Sequence, residues 1–417
     1  MRILIYSYNY HPEPIGIAPL MTELAEGLVK KGHNVRVVTA MPWYPNSEIA
    51  PEYQGKLYLT ENCNGVKIQR SFVWISRERN FKNRALFEIS FVFLSFFQVL
   101  KGSRPDVIFL TIPGLPVCVT AAILSWLYRT PIVLNLQDIL PDAAVHVGLI
   151  RNPKMIRLFT WLEKFAYKTA RKISVISDGF TENLLEKKVP KEKIIEIPNW
   201  VDINFIKPLE KEDNYFRKEN NLDDKFVVLY SGNIALTQPL EILIDAAVKL
   251  NHLDNLAVVI VGKQEALERL EKYSCGKKAT NVILKPFQPR HKLPEMLAAA
   301  NVGMVMQKHN VISFNMPSKI QVLLASGRAI IASVPTNGTA AKAIEKSGGG
   351  LVIPPEDSQA LASAIEHLYR NPQLVKSLGK RGREYAKKVY NFEFILDRYE
   401  ELLLSMKKPK KKLNELL

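Results

Sequence analysis

Short apolar runs alternate with amphipathic stretches along this chain. "RILIYSY", from Arg2, alternates like a strand and runs into a loop rich in Pro. "LMTELAEGLVKK" follows, with apolar residues at Leu20, Leu24, Ala25 and Leu28 and a stop at Gly32. That spacing predicts a helix closed by glycine, and "NVRVVTA" after it predicts a second strand. Strand, helix and strand in this order make a βαβ unit. "DVIFLT", "PIVLNLQ" and "KISVIS" continue the series as short β-branched runs. Such runs are strands of a parallel sheet covered on both faces.

The second half repeats the beat. "FVVLYSG", "LAVVIVG", "NVILKPF", "VGMVMQ" and "AIIAS" predict strands. "PLEILIDAAVKL", "EALERLEKY", "KLPEMLAAA" and "SKIQVLLAS" predict the helices among them. The fold class is therefore α/β, with two doubly wound halves. Their join falls in the Pro-, Asn- and charge-rich stretch around 198–214, giving domains at 1–203 and 204–390. A further helix near 391–405 comes after the second sheet is complete, and 406–417 is a basic tail.

Charge narrows the partners. Lys and Arg number 57 against 41 Asp and Glu, a net charge of +16. A basic protein meets nucleic acid, anionic membrane or phosphorylated small molecules. The basic residues gather between Lys67 and Lys172 and in "KKPKKK" at Lys407–Lys412. No RNA-module or zinc-finger pattern is present, so nucleic acid is not the expected partner. Three cysteines with no CxxC pair argue against a disulfide framework or zinc site, and for a reducing compartment. The first residues do not read as a signal peptide. "ALFEISFVFLSFFQVL", Ala85–Leu100, is too short and too acidic at Glu88 for a spanning helix. Arg77, Arg79, Lys82 and Arg84 precede it, and Lys101 and Arg104 follow. Such a helix either dips into an anionic membrane interface or is simply buried.

In open parallel sheets, ligands sit beyond the carboxyl ends of the strands. Gly16, Gly232 and Gly262 stand at such ends, where backbone N–H groups can approach phosphate, although a turn glycine needs no ligand. In "HNVISFNMPSK", Pro317 sets a helix start and puts Ser318 and Lys319 in or beside its first turn. The plainer alternative is a capping serine and a solvated lysine.

Several segments together resemble glycosyltransferase family 4. They are "YSGN" with "QPLEILIDAAVKL", "AVVIVGKQEALERLEKY", "NVILKPFQPRHKLPEMLAAANVGMVM", the linker "IPNWVDINFIKP" and the N-terminal "YNYHPEPIGIAPLMTELAEGLVKKGHNVRVVTA". Trp200 in the linker and the Pro-Ser-Lys at 317–319 are similar to the bacterial colanic-acid and O-antigen branch, with its N-acetyl-fucosaminyl and fucosyl transferases. The resemblance implies a GT-B fold, two Rossmann-like domains facing a cleft. The first would bind acceptor and the second nucleotide-sugar, with the last helix crossing back to complete the first. It implies retaining, metal-independent transfer of a sugar from a nucleotide-diphosphate donor.

A departing diphosphate gains negative charge, which N–H dipoles, cations or a metal must stabilise. No Asp-x-Asp pair lies in a suitable place, so no metal and no further cofactor is expected; a UDP-sugar is favoured over a GDP-sugar as donor. The candidates on the donor side are Gly16, Ser231, Gly232, Asn233, Gln238, Lys263, Asn315, Ser318 and Lys319. Phe287 and Gln288 in "KPFQP" are expected to read the base. Asp138 in "LQDILPD" would face the reacting centre, or else cap the helix that Pro141 begins. Glu13, with His11 and Trp43, is expected to hold acceptor hydroxyls; His11 and His146 otherwise read as surface residues. Many family members carry two Glu residues that fall, counted back from Gly327, on Phe314 and Val322 here. Asn233 and Gln238 likewise stand where the family has Arg and Lys. The expected partners are nucleotide-sugar, a lipid-linked saccharide and an anionic membrane surface. The expected location is cytoplasmic, peripheral on the inner membrane face, in exopolysaccharide or O-antigen synthesis. The rival readings are a GT-B-type nucleotide-sugar epimerase and a non-catalytic basic membrane adaptor.

Overall fold

A computed structural model describes residues 1–407 except 15, 45–46, 77, 79–80, 113, 143–144, 146–151, 211–212, 235–236, 312–313 and 315. His146, Asn315 and the tail beyond Lys407 lie outside the described residues. Two compact units form. The first is Met1–Ile197 with the chain from Leu396 on, and the second is Pro198–Ile395.

The first unit holds an eight-stranded sheet. Its strands are β1 (Arg2–Tyr6), β2 (Asn34–Ala40), β3 (Tyr58–Cys63), β4 (Val66–Ser71), β5 (Val107–Ile112), β6 (Ile132–Leu136), β7 (Lys172–Val175) and β8 (Ile194–Glu196). Their order is β3-β4-β2-β1-β5-β6-β7-β8. Only β3 runs antiparallel, against β4. The strand order reverses between β1 and β5, which opens a crevice above their carboxyl ends. β1, β5 and β6 are buried almost throughout, as β-branched and leucine-rich strands between helical layers should be.

The sequence pattern misses β3, β4 and β8, and in the second unit the short edge strand Gly350–Ile353. β3, β4 and β8 lie at or beside a sheet edge, where exposed positions break the apolar run. One signal was available. Asn64 and Gly65, both at positive φ (50° and 81°), join β3 to β4, and Asn-Gly is the preferred two-residue hairpin turn.

The second unit has six parallel strands: β9 (Phe226–Ser231), β10 (Leu256–Gly262), β11 (Val282–Pro286), β12 (Val302–Met306), β13 (Ala329–Ser333) and β14 (Gly350–Ile353). Their order is β11-β10-β9-β12-β13-β14, with the reversal between β9 and β12. Two cores cover the two faces. Val227 and Leu229 of β9 join helix 319–325 in one, while Val228 and Tyr230 join helix 240–249 in the other.

Helix Phe392–Ser405 spans the return to the first unit. Beyond Leu396 it buries Tyr399, Leu402 and Leu403 there. Asn135 of β6 donates to the Tyr399 hydroxyl at 3.0 Å, and Lys31 reaches Asp397 and Glu400 at 2.6 and 2.8 Å.

Helix Phe81–Leu100 is apolar on two sides. Its inner stripe, Phe87, Phe91 and Ser95, packs on β1, where the Tyr6 and Tyr8 hydroxyls meet Ser95 and Glu88. Its outer stripe is Leu86, Ile89, Phe93, Phe97 and Leu100, all exposed. Residues Lys82–Leu100 are long and apolar enough to cross a membrane, yet the inner stripe fastens this helix to the sheet.

Candidate active site

In the second unit, β9 is followed directly by Gly232, which takes φ +147°, a value that favours glycine. Its N–H donates to the Val261 carbonyl at 3.1 Å, holding the turn against β10. Lys319 begins a helix that belongs to the opposite core, and its side chain crosses the carboxyl edge of the sheet. Its Nζ comes to rest 3.7 Å from the centre of the Tyr230 ring. A β-carbon on Gly232 would stand 3.2 Å from that nitrogen, so the missing side chain leaves room for the ammonium.

Lys319 Nζ is shut away from solvent and makes no hydrogen bond among the described residues. Burial pushes its pKa down to about 7. Tyr230 offers its ring, but its hydroxyl is used in donating to the Asn233 carbonyl at 2.8 Å. An aromatic face alone is a modest partner for a buried cation. An anion reaching this nitrogen would supply the missing acceptor and restore the proton.

The other donor-side candidates divide. Gly262 lies beside the same turn, where a β-carbon would overlap Ile234. The Phe287 N–H donates to the Gly262 carbonyl at 3.1 Å, so the "KPFQP" turn is tied to the end of β10. The Phe287 ring is exposed, and Gln288 turns its amide onto the Pro286 carbonyl at 3.1 Å. Asn233, Lys263 and Ser318 are exposed. Ser318 makes no capping hydrogen bond, so the plain reading of it as a cap is corrected: its φ of −59° lies in the helical region, not the extended one a cap needs. Ser231 is half-buried beside Met296, and Gln238 sits half-buried at the end of the turn. Phe314 is buried, and Val322 packs against the core.

Two residues here escaped the sequence reading. Tyr230 floors the lysine, and the signal was an aromatic two residues ahead of the Gly-Asn turn. Thr339, after β13 at the start of helix Thr339–Ser347, is buried, with no partner for its hydroxyl among the described residues.

In the first unit, Glu13 is buried and fully engaged. Oε1 accepts from the Trp43 and Tyr44 N–H groups at 3.0 and 2.9 Å, and Oε2 from the Asn9 amide at 2.7 Å. Burial raises its pKa and these hydrogen bonds partly oppose the rise. The carboxylate therefore ties the loop after β1 to the loop after β2. Trp43 packs edge-on against Phe87, and its indole N–H is buried without an acceptor among the described residues. Gly16 takes φ +74° beside the Tyr44 ring. His11 is exposed, its carbonyl accepting from Arg70 at 2.5 Å. Asp138 follows β6 and has no hydrogen-bond or ion-pair partner among the described residues. Surrounding protein raises its carboxyl to about 6, but the residue is exposed, and that access to water discounts the shift.

The structure thus gathers Gly232, Tyr230, Gly262 and Lys319 at one sheet edge, and Glu13, Trp43 and Gly16 at the other. Among the described residues no three His, Cys, Asp or Glu side chains converge as metal ligands.

The family descriptions "Glycosyl transferase 4-like domain" and "Glycosyl transferases group 1" match residues 16–200 and 211–385. The chain is 30% identical over 407 residues, covering 96% of it and 98% of the relative, to WcaI of Escherichia coli K12, a glycosyl transferase assigned to colanic acid biosynthesis. The chain belongs to glycosyltransferase family 4. Solved structures share the architecture of this family 4 enzyme at low identity. Sucrose-phosphate synthase from Thermosynechococcus elongatus aligns with TM-score 0.73 and 19% identity, over 97% of this chain and 98% of that one. Anabaena Alr3699/HepE, solved in complex with UDP and glucose, aligns with TM-score 0.73 and 16% identity, over 97% and 100%. The two Rossmann-like units of this glycosyltransferase are those of the GT-B fold.

Proposed function

We propose that this glycosyltransferase moves a sugar, with retention, from a UDP-sugar to a lipid-linked saccharide at an anionic membrane surface, in bacterial exopolysaccharide or O-antigen synthesis. The observation that carries the reading is Lys319: a buried amine with no hydrogen-bond acceptor among the described residues, held over Tyr230 at a glycine turn. Such a group is costly unless an anion completes it. The β-phosphate of a nucleotide-diphosphate sugar is an anion of the right chemistry, and its charge grows as the bond to the anomeric carbon breaks. Lys319 and the amides of the Gly232 turn then favour the transition state over the bound donor. In this reading the departing phosphate oxygen takes the acceptor proton, and no metal is required. Asp138 steadies positive charge at the anomeric carbon or orients the acceptor hydroxyl. Glu13 acts by holding the acceptor-side loops.

Relatives support the details. HepE is described with UDP and UDP-glucose bound, WcaI with colanic acid synthesis, and another Escherichia coli relative as an O-antigen chain mannosyltransferase. The test is incubation with UDP- and GDP-sugars in the presence of EDTA, following nucleotide release and the configuration of the sugar product. Slow release of UDP with the anomeric configuration kept is expected. Release of a free epimer, inversion, or strict dependence on a divalent ion would overturn the corresponding part of the proposal.

A further inference from the structure

Three helices of the first unit lie side by side over its sheet: Phe81–Leu100 on β4 and β2, Val117–Tyr128 on β5 and β6, and Pro153–Thr169 on β6. Each turns large apolar side chains to solvent. Residues 86, 89, 93, 97 and 100 recur at helical spacing on the first, with Ile89 64% and Phe93 62% exposed. The second presents Ile123, Leu127 and Trp126, the last 81% exposed. The third presents Leu158 and Trp161, 57% exposed, its ring stacked on Phe165.

Scattered surface leucines need no explanation, but a contiguous face with two open tryptophans does. Charge identifies what covers it. Lys82, Arg84, Lys101 and Arg104 bracket the first helix, all exposed. On the third, Lys154, Arg157, Lys164 and Lys168 share the face with Leu158 and Trp161. The acids of these two helices, Glu88 and Glu163, are both buried, so the exposed charge on them is of one sign. Two copies of such a face would repel each other. An anionic surface with an apolar interior would satisfy both the rim and the centre.

We infer that this three-helix face is a bilayer-docking surface that lies in the interface of an anionic membrane, with Trp126 and Trp161 seated at headgroup depth. The inference rests on the lipid-linked-acceptor reading above and specifies which surface meets the lipid. The first helix lies flat instead of spanning. Its inner stripe holds Tyr6 and Tyr8 of the β1 region, and crossing the bilayer would strip those partners from the core.

The test is sedimentation of the full chain with vesicles of phosphatidylcholine alone and of phosphatidylcholine mixed with phosphatidylglycerol. The comparison is wild type against a Trp126→Ser, Trp161→Ser double variant and a Lys154→Glu, Arg157→Glu double variant. Wild type should bind the anionic vesicles preferentially, and each variant should bind at least about tenfold more weakly. Both variants should keep the wild-type unfolding midpoint, since all four side chains are exposed, and should keep UDP affinity measured without lipid. Unchanged vesicle binding by the variants would overturn the assigned face. A wild type that ignores lipid, or that forms a dimer dissociated by the tryptophan variant, would overturn the membrane as occupant. Failure to bind UDP alongside normal vesicle binding would instead remove the donor reading and leave this surface intact.

Discussion

The side-chain nitrogen of Lys319 stands over the Tyr230 ring, 3.7 Å from its centre, and no hydrogen-bond acceptor among the described residues reaches it. Tyr230 belongs to the core on one face of the second sheet, while the helix that Lys319 begins packs into the core on the other. The contact therefore exists only at the carboxyl edge, where a ligand would arrive. A packing role would have no use for the charge.

Replacing Lys319 by Met keeps the bulk and removes the amine. Transfer should fall in kcat/KM by about 100-fold or more, as when a donor to developing oxyanion charge is lost. Stability should hold or rise, because an unpaired buried amine disappears. Steady-state rates and a denaturant melt on the same protein read both. Near-normal turnover would remove Lys319 from the chemistry.

The depressed pKa has a defined sign. Between about 7 and the ordinary lysine value near 10.4, the unfolded chain holds a proton that the folded chain has released. Stability relative to Lys319→Met should therefore rise with pH across that window, by up to about 1.4 kcal/mol per pH unit. In the same window, binding of UDP should take up a proton. Calorimetry in buffers of different ionisation enthalpy measures it, and an uptake that survives in the Met variant would point to another group.

Gly232→Ala puts a β-carbon 3.2 Å from the ammonium and at a φ that other residues avoid. It should cost about 1–3 kcal/mol of stability and lower activity along with it. If activity falls while donor affinity measured by calorimetry is unchanged, the glycine serves the turn and not the phosphate pocket.

Glu13→Ala leaves the Trp43 and Tyr44 N–H groups without an acceptor. A loss of about 2–4 kcal/mol is expected, with a rise in acceptor KM larger than any change in donor KM. Glu13→Gln retains a carbonyl in place of Oε1 and should recover most of the stability. Equal effects on both substrates would argue against an acceptor-side role.

Asp138→Asn tests the acceptor-facing carboxylate. Wild-type rates should fall as the pH drops from about 6 toward the ordinary carboxylate value of about 3.9 and the carboxyl becomes protonated, and the variant should be slow and flat across that range. A variant that keeps the wild-type acid limb would assign that limb to another residue.

Much of the architecture was readable from the amino acids alone. Buried parallel strands such as β5 and β6 are unbroken apolar runs, and the helices between them carry a period of 3.6. Edge strands were not readable, because β3 and β8 have mostly half-exposed positions and little apolar signature. The site was half legible. Pro317-Ser-Lys pointed to Lys319, but only the fold brings Tyr230 and Gly232 to it. Glu13 was found as a residue, while its bonds to two backbone amides after β2 depend on strand pairing. The apolar helix at 81–100 was visible as such. That helices 117–128 and 153–169 extend its outer face depends on which side chains the sheet leaves uncovered.

The first sheet takes its last side chains from a helix that follows the second unit: Tyr399 supplies the hydroxyl beneath Asn135, and Leu402 and Leu403 close the layer around it. Synthesis therefore delivers the parts out of order. The earlier-made unit emerges from the ribosome with an open seam, and it stays open until residues 396–403 have been translated, after the later-made unit already has all its strands.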